Sequence, residues 1–302
     1  MPRDQGLPII EFVLSYEGGD ADSHYLDLYD GAQALIGFQR SIALTTHLVL
    51  NGQIITQSPS LKGARIIASP VESGSWKITA GVIFTGTMAV AHIPSDNPIG
   101  HLLYSAYDYL ISESLGFHVD YEKTIGQLYE EEQLARSGLP KVEQHQLDSL
   151  VEKCSNAVIE IHRPISKSQS ALTAEISSQS PEDDQPLGEL FNIETFRYML
   201  ENIESPTTET IRGRVSSYNS NTYKGRIFVS KEGRPVSFDL LENCRSTDVV
   251  DLIVKSLSAN AVQDPANKWA RVYFRVRRIT SRKGTLKKYR VIAVSHERPD
   301  ED

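Results

Sequence analysis

The sequence predicts an α+β body followed by a small β-barrel, and three observations support this division. Residues 207–302 carry 19 Lys and Arg against 11 Asp and Glu, a net charge of +8. Residues 1–206 carry 12 basic and 28 acidic residues, a net charge of −16. A polar, Ser-rich segment at residues 166–186 lies between the two parts and has the composition of a linker.

The body begins with a β-branched and aromatic strand, Ile9–Tyr16, which leads into a long helix over Leu26–Leu50. Arg40 is the single Lys, Arg, Asp or Glu between Ala32 and Leu50, so this helix is expected to be buried on most sides. Further strands are predicted at Gln53–Gln57, Ala64–Ser69 and Ser75–Thr85, and further helices at the segments that begin with Pro98, Asp120 and Pro140.

These elements place an acidic α+β domain at residues 1–165 and a linker with a bridging helix at residues 166–206. The bridging helix is the amphipathic segment Leu190–Glu201. The basic barrel domain occupies residues 207–302. A chain of 302 residues has room for two such domains, because single hydrophobic cores stop growing at about 250–300 residues.

The basic domain shows three strands, a helix and two more strands, which is the order of the five-stranded OB barrel. The predicted elements are strands at Glu209–Tyr218, Gly225–Lys231 and Pro235–Leu241, a helix at Thr247–Ser258, and strands at Ala270–Thr280 and Leu286–Ser295.

The first half of this domain also resembles the opening of cold-shock and related OB domains. The shared features are a Gly-x-Val strand, the pair Tyr218-Asn219, and Lys224-Gly225 entering a strand that contains Phe228. Ser217 and Arg226 stand where that family carries stacking aromatic residues. The resemblance implies the barrel fold. Both halves together resemble bacterial two-domain proteins of unknown function, a resemblance that implies no activity.

Alternation along the strands predicts an outer face that combines cations with aromatic rings, and the loops between strands one and two and between strands four and five add more. Such a surface suits single-stranded nucleic acid, because cations follow the phosphates while rings stack on bases. We therefore expect the nucleic-acid contacts to be made by Arg212, Arg214, Tyr218, Tyr223, Lys224, Arg226, Phe228, Arg275, Arg277, Arg282, Lys283, Lys287 and Lys288. The Arg277-Arg278 step breaks the alternation and predicts a β-bulge.

Two other interpretations of the basic face remain open. Lys and Arg on strand edges also protect a sheet against aggregation. A basic face can also dock on a protein partner or on the acidic body of its own chain. The alternative function is therefore a protein–protein interaction module.

A third hypothesis is a metal-dependent enzyme that uses the acidic stretch Glu17–Asp30. Its candidate ligands are Asp20, Asp22, His24 and Asp27. No template spacing is matched, and acidic residues before a helix also stabilise the helix dipole.

The sequence contains no phosphate-binding glycine loop, dinucleotide fingerprint or paired-cysteine metal motif, so we expect a binding protein without a cofactor rather than an enzyme. Cys154 and Cys244 are predicted to be reduced and buried, as in a cytoplasmic protein. No stretch is apolar enough to predict membrane insertion, the longest being Gly81–Ile93. We expect nucleic acid as the ligand of the barrel and a homo-oligomer or protein partner for the N-terminal domain.

Overall fold

The structure is a computed structural model of the chain and describes residues 9–69, 76–85, 98–130, 138–179, 185–262, 269–280, 284 and 286–298. The chain divides into two compact units, Met1–Met199 and Leu200–Asp302. The first combines helices with a sheet, and the second is a closed β-barrel with a helix. The expected α+β body followed by an OB-like barrel is confirmed.

The first unit is built around an antiparallel sheet. Its strands are β1 (Ile9–Glu17), β2 (Ala64–Ser69), β3 (Trp76–Phe84), β4 (Thr173–Gln179) and β5 (Gln185–Pro186). They lie in the order β2-β3-β1-β4-β5, so β1 is the central strand. The β-branched and aromatic composition predicted β1, and its residues Phe12, Leu14 and Tyr16 are fully buried.

Helices pack against this sheet and against one another. They are α1 (Leu28–Asn51), α2 (Pro98–Leu115), α3 (Gln127–Glu130), α4 (Gln144–Ile161), α5 (Arg163–Ser166) and α6 (Ile193–Leu200). Phe12 of β1 meets the rings of Tyr104 and Tyr107 of α2 edge-on, at centroid distances of 5.3 and 4.9 Å. The hydroxyl of Tyr16 donates a hydrogen bond of 2.7 Å to the carbonyl of Ile161, which anchors the end of α4 to the sheet.

Local chemistry sets both ends of α1. The carboxylate of Asp27 accepts a hydrogen bond from the backbone N–H of Asp30, the usual N-cap arrangement. Gly52 ends the helix with a φ of 67°, a conformation that favours glycine. In the middle, Gly37 lets α4 approach closely, because a Cβ at this position would lie 2.3 Å from the carbonyl oxygen of Ala157.

Two sequence-based expectations for this unit are wrong. Residues 53–57 form a loop before a short 3₁₀ turn at Ser58–Ser60, not a strand. The expected linker contains β4, which pairs with β1 from Glu11↔Gln179 to Glu17↔Thr173. The serine content of this segment favoured a linker, but the segment contains a strand whose inner residues Ala174 and Ile176 are buried.

The second unit contains all five strands and the helix that the sequence predicts for a barrel. They are β7 (Glu209–Asn219), β8 (Lys224–Val229), β9 (Arg234–Leu240), α7 (Thr247–Ala261), β10 (Val272–Thr280) and β11 (Leu286–Ser295). A two-residue strand, β6 (Ile203–Glu204), precedes them and pairs with β10.

The barrel closes in the order β7-β8-β9-β11-β10 and back to β7. The β9–β11 pair is parallel and the other pairs of the barrel are antiparallel. With α7 between the third and fourth barrel strands, this is an OB-like arrangement. Val215, Ile227, Val236, Phe274 and Val291 are fully buried and belong to the core.

Helix α7 is joined to the barrel by apolar packing, with Ile253 in the core, and by the hydrogen bonds of one serine. The buried hydroxyl of Ser256 accepts a hydrogen bond from the N–H of Val215 and donates one to the carbonyl of Ala270. Those two groups would otherwise be buried without partners, so a single side chain satisfies two backbone groups.

The break in alternation at Arg277-Arg278 is present, although the register shifts lie on either side of it. They fall between Arg275 and Val276 and between Ile279 and Thr280 in the β10–β11 pair. β10 pairs with β7 up to Val276 and with β6 from Ile279. The Arg277-Arg278 step therefore lies where β10 stops pairing with β7 and begins to pair with β6.

Candidate nucleic-acid interface

The outer face of β7 carries two arginines because this strand alternates strictly. Ile211, Gly213 and Val215 point into the barrel and are buried, whereas Arg212 is exposed and Arg214 is half-buried on the other side. The sequence predicted this division of the strand.

Each of these arginines lies over an aromatic ring on a neighbouring strand. Arg212 faces Tyr273 of β10 in register, with its guanidinium carbon 5.5 Å from the ring centroid. Arg214 faces Phe228 of β8 in register, at 5.1 Å. Cation–π contacts of this kind are worth about 0.5–1 kcal/mol at exposed sites. They hold the two guanidinium groups and the two rings in fixed positions on the barrel surface.

Arg275 extends this surface along β10. It is exposed, and its Nε lies 3.5 Å from the hydroxyl oxygen of Thr208. Tyr273 and Arg275 are two residues apart on one strand and therefore share a face. We call Arg212, Arg214, Phe228, Tyr273 and Arg275 the rung surface.

The loop between β7 and β8 adds a third cation–aromatic pair. Tyr223 has a φ of 56°, and the guanidinium carbon of Arg245 lies 4.7 Å from the centroid of its ring. Sequence reasoning missed Arg245, because it follows a 3₁₀ turn at Glu242–Cys244 where no strand periodicity marks its direction. Lys224 begins β8 and is half-buried.

Tyr218 is less available to a ligand than the sequence suggested. Its ring stacks on Phe238 of the barrel core at a centroid distance of 6.4 Å and an interplanar angle of 11°. Burial raises the pKa of Tyr218, with the neighbouring Tyr223 adding to the rise. The ring of Tyr218 therefore packs against the barrel core.

Arg226 does not lie on an exposed face as expected. It is 3% exposed. The physical reason is a register shift between Val215 and Ser217, which places Arg226 opposite Ser217, itself buried. Beside this shift β8 departs from alternation, because Arg226 and the adjacent Ile227 are both buried.

Three further candidates are held by acceptors of the barrel itself. A terminal nitrogen of Arg277 lies 3.1 Å from Oε1 of Glu204, and Nζ of Lys288 lies 3.4 Å from Oδ2 of Asp239. Lys287 donates a hydrogen bond of 3.0 Å to the carbonyl of Glu201. Burial, with the charge of Lys288 next to it, lowers the pKa of Lys287 to about 8. Two other candidates, Arg282 and Lys283, lie outside the described residues.

The acidic stretch of the first unit has structural partners. Asp22 accepts a hydrogen bond of 2.7 Å from the N–H of Gly18, and Asp27 caps α1. Asp30 is buried. Its Oδ1 lies 2.9 Å from Nε of Arg163, and its Oδ2 accepts a hydrogen bond of 3.0 Å from the N–H of Ser168. Asp20 and His24 are exposed. In the described part of the chain, no three His, Cys, Asp or Glu side chains are grouped so that they could hold a metal ion.

The histidine that follows α4, His162, is fully buried. Its Nδ1 lies 2.9 Å from the carbonyl of Val158, and its Nε2 lies 3.1 Å from the hydroxyl of Thr195. Its ring centroid is 4.9 Å from that of Phe191 and 5.7 Å from that of Phe196. Burial lowers the pKa of His162 from 6.5 to about 4, so the ring is neutral near pH 7. A histidine without charge fits a structural role.

Both cysteines, Cys154 and Cys244, are free and buried, as the sequence predicted. Burial raises the pKa of both thiols, that of Cys154 to about 12. Such thiols are poor nucleophiles. Across the described ranges, no helix has the length and apolar character needed to cross a membrane.

Two family matches divide the chain in the same way as its fold. Residues 207–295 match a family of unknown function (DUF7947), which covers the barrel. Residues 12–195, more than half of the chain, match a domain of unknown function (DUF7946). No curated protein and no solved structure matches the chain. The match over the first unit therefore shows that this chain belongs to the DUF7946 family.

Proposed function

We propose that the barrel binds single-stranded nucleic acid through the rung surface. The observation that supports this proposal is the pairing of Arg212 with Tyr273 and of Arg214 with Phe228 on adjacent strands. Guanidinium groups suit phosphates, and partly exposed rings offer faces on which bases stack for about 1–3 kcal/mol each. The net charge of +8 on residues 207–302 adds long-range attraction to a polyanion.

The proposed surface lies beside the face that OB barrels commonly use, rather than on all of it. That common face is centred on the second and third barrel strands, here β8 and β9. On β9 the outward residue Asp239 carries a negative charge and already pairs with Lys288. Phosphates are therefore expected along β7 and β10, where Arg212 and Arg275 are exposed.

Binding of fluorescein-labelled oligothymidylate of 15 nucleotides to the full chain, over a salt series, tests this proposal. Arg212→Ala and Arg275→Ala are each expected to weaken binding three- to tenfold at low salt. Each lost phosphate contact should also reduce the slope of log K against log salt by about 0.7. Arg197→Ala, on exposed α6, removes the same charge from the first unit and is expected to leave binding unchanged.

Duplex DNA of the same length serves as the comparison ligand. Tighter binding of the single strand supports base stacking, whereas equal binding of both would indicate a contact with phosphates alone. Absence of binding at about 50 mM salt, where phosphate contacts are strong, would contradict the proposal.

A second candidate function, a protein-interaction module, is favoured by a different observation. Tyr25, Leu28 and Tyr29, around the start of α1, are 72%, 86% and 63% exposed, and Ile36 two turns further on is 58% exposed. Exposed apolar side chains in such number suggest a protein contact. Sedimentation velocity of the wild type and of the double variant Leu28→Ser with Ile36→Ser tests this. If the chain self-associates through these residues, the sedimentation coefficient should fall in the variant.

A further inference from the structure

Two arginines of the barrel share a single carboxylate. Arg277 of β10 and Arg290 of β11 are paired in register on adjacent strands. One terminal nitrogen of Arg277 lies 3.1 Å from Oε1 of Glu204, and one of Arg290 lies 3.3 Å from Oε2 of the same side chain. Glu204 therefore bridges the two guanidinium groups with both of its oxygens.

The carboxylate does not satisfy the hydrogen-bonding capacity of these arginines. The Nε atoms of Arg277 and Arg290 are both buried, and neither has a hydrogen-bond partner among the described residues. A buried donor without a partner is energetically unfavourable. The other terminal nitrogen of Arg290 lies 3.6 Å from Oδ2 of Asp239, so a second carboxylate borders the pair. Two buried donors without partners beside Glu204 indicate a site suited to an anion with more acceptor oxygens than a carboxylate has.

The segment that carries Glu204 is short. Two hydrogen bonds flank it, from the N–H of Ser205 to the carbonyl of Arg278 and from Lys287 to the carbonyl of Glu201. β6 has only two residues, which pair with β10 at Ile279↔Glu204 and Thr280↔Ile203. The side chain of Ile203 is half exposed, so it contributes little apolar burial. Short segments with few buried contacts open at low free-energy cost.

The arginine pair continues the rung surface. Tyr273, Arg275 and Arg277 follow one another at every second residue of β10, ahead of the alternation break. A strand of nucleic acid that contacts Arg212 and Arg275 would thus meet Arg277 and Arg290 next. In the structure this position is occupied by the carboxylate of Glu204.

We propose that Arg277 and Arg290 form a phosphate-binding site and that Glu204 is an acidic strap that occupies it until a phosphodiester displaces it. This inference rests on the proposed nucleic-acid binding. It adds that Glu204 lowers the affinity of the barrel for nucleic acid. Displacement releases one carboxylate and admits one or two phosphates to the arginine pair. The strap lowers affinity for any short or poorly positioned strand, because every ligand must first compete with a tethered anion.

Glu204→Gln tests the strap, because it removes the charge and keeps the shape. With the labelled 15-nucleotide oligothymidylate, this variant of the full chain is expected to bind about tenfold more tightly at low salt. The slope of log K against log salt should steepen by about 0.7 to 1.4, for one or two added phosphate contacts. Glu242→Gln removes the same charge from an exposed 3₁₀ turn of the same unit, and only a small gain is expected from it.

The double variant Glu204→Gln with Arg277→Ala is expected to lose the gain. If the wild type binds and Glu204→Gln behaves like Glu242→Gln, the strap is wrong while the proposed function stands. If neither the wild type nor Glu204→Gln binds, both are wrong. Binding by Glu204→Gln but not by the wild type would show that Glu204 blocks the site without being displaced, and it would contradict both displacement and the proposed function of the wild-type chain. Should Glu204→Gln melt several degrees lower than the wild type, Glu204→Asp, whose reach is one methylene shorter, is expected to give a smaller gain, and no gain there overturns the strap.

Discussion

Nε2 of His162 lies 3.1 Å from the hydroxyl oxygen of Thr195, which joins the end of α4 to the first turns of α6. Because a carbonyl only accepts, Nδ1 carries the proton that is donated to Val158, and Nε2 is left as an acceptor. Protonation of Nε2 would remove this acceptor and place a charge in a buried site beside two phenylalanine rings. The folded state therefore resists protonation at this position.

The first prediction is a loss of stability in mild acid. The folded pKa of His162, about 4, lies below the ordinary value of 6.5, so between these values the unfolded chain binds a proton that the folded chain does not. The free energy of unfolding should fall as the pH falls from 6.5, by about 2 kcal/mol at pH 5 from this group. Urea unfolding at pH 7.5 and pH 5 measures it. His162→Asn should flatten the dependence, whereas the exposed His101→Gln should not; equal slopes in both variants would contradict this assignment.

The second prediction compares two glycines of the same helix. Gly37→Ala should lower the free energy of unfolding by about 1–3 kcal/mol, because its Cβ would meet the carbonyl of Ala157 at 2.3 Å. Gly31→Ala should raise it by up to about 1 kcal/mol, because its Cβ would lie at least 3.6 Å from the nearest atoms and alanine favours the helix. Chemical unfolding of both variants measures the difference, and equal effects would argue against close packing of α1 on α4.

The third prediction concerns the serine between α7 and the barrel. Ser256→Ala leaves the N–H of Val215 and the carbonyl of Ala270 without their hydrogen bonds, so we expect a loss of about 2 kcal/mol or more. Ser258→Ala changes an exposed position of the same helix and should stay within about 0.5 kcal/mol of the wild type. Urea unfolding followed by circular dichroism makes the comparison. A Ser256→Ala chain as stable as Ser258→Ala would show that α7 is held in another way.

The fourth prediction separates base stacking from phosphate contact. Phe228→Leu keeps an apolar side chain but removes the flat ring, and we expect about a tenfold loss in affinity for the 15-nucleotide oligothymidylate. The salt slope should stay unchanged, because no phosphate contact is lost. Val254→Ala, an exposed apolar position of α7, serves as control. A reduced slope in Phe228→Leu would mean that the ring acts only by holding Arg214 in place.

The barrel could be predicted from sequence almost strand by strand, since most strands alternate over much of their length and each turn has its glycine or asparagine. The predicted strand Leu286–Ser295 agrees with β11 at both ends. In β4 the apolar positions are only Ala174 and Ile176, set among polar residues, so composition favoured a linker. Two apolar residues on one face are too few to predict a strand from sequence, and β4 becomes evident only through its pairing with β1.

The candidate site was less predictable than the fold, because charge on a side chain does not reveal its partners. Arg277 and Lys288 were assigned to a ligand, yet Glu204 and Asp239 lie within ion-pair distance of them. These contacts join residues 73 and 49 positions apart, and they depend on the register in which the barrel closes. Arg226 shows the same limit, since a single bulge decides whether an outward-pointing residue is exposed.

The parallel pairing of β9 with β11 has a consequence for synthesis of the chain. Among the strands of the barrel, β11 is the last to leave the ribosome, and it pairs with both β9 and β10. A nascent chain that ends at Thr280 would therefore present two unpaired backbone edges at once, one on each side of the gap. Such edges are sites at which other chains add strands. A pause in translation just before β11 would therefore leave β9 and β10 open to strand addition by another chain.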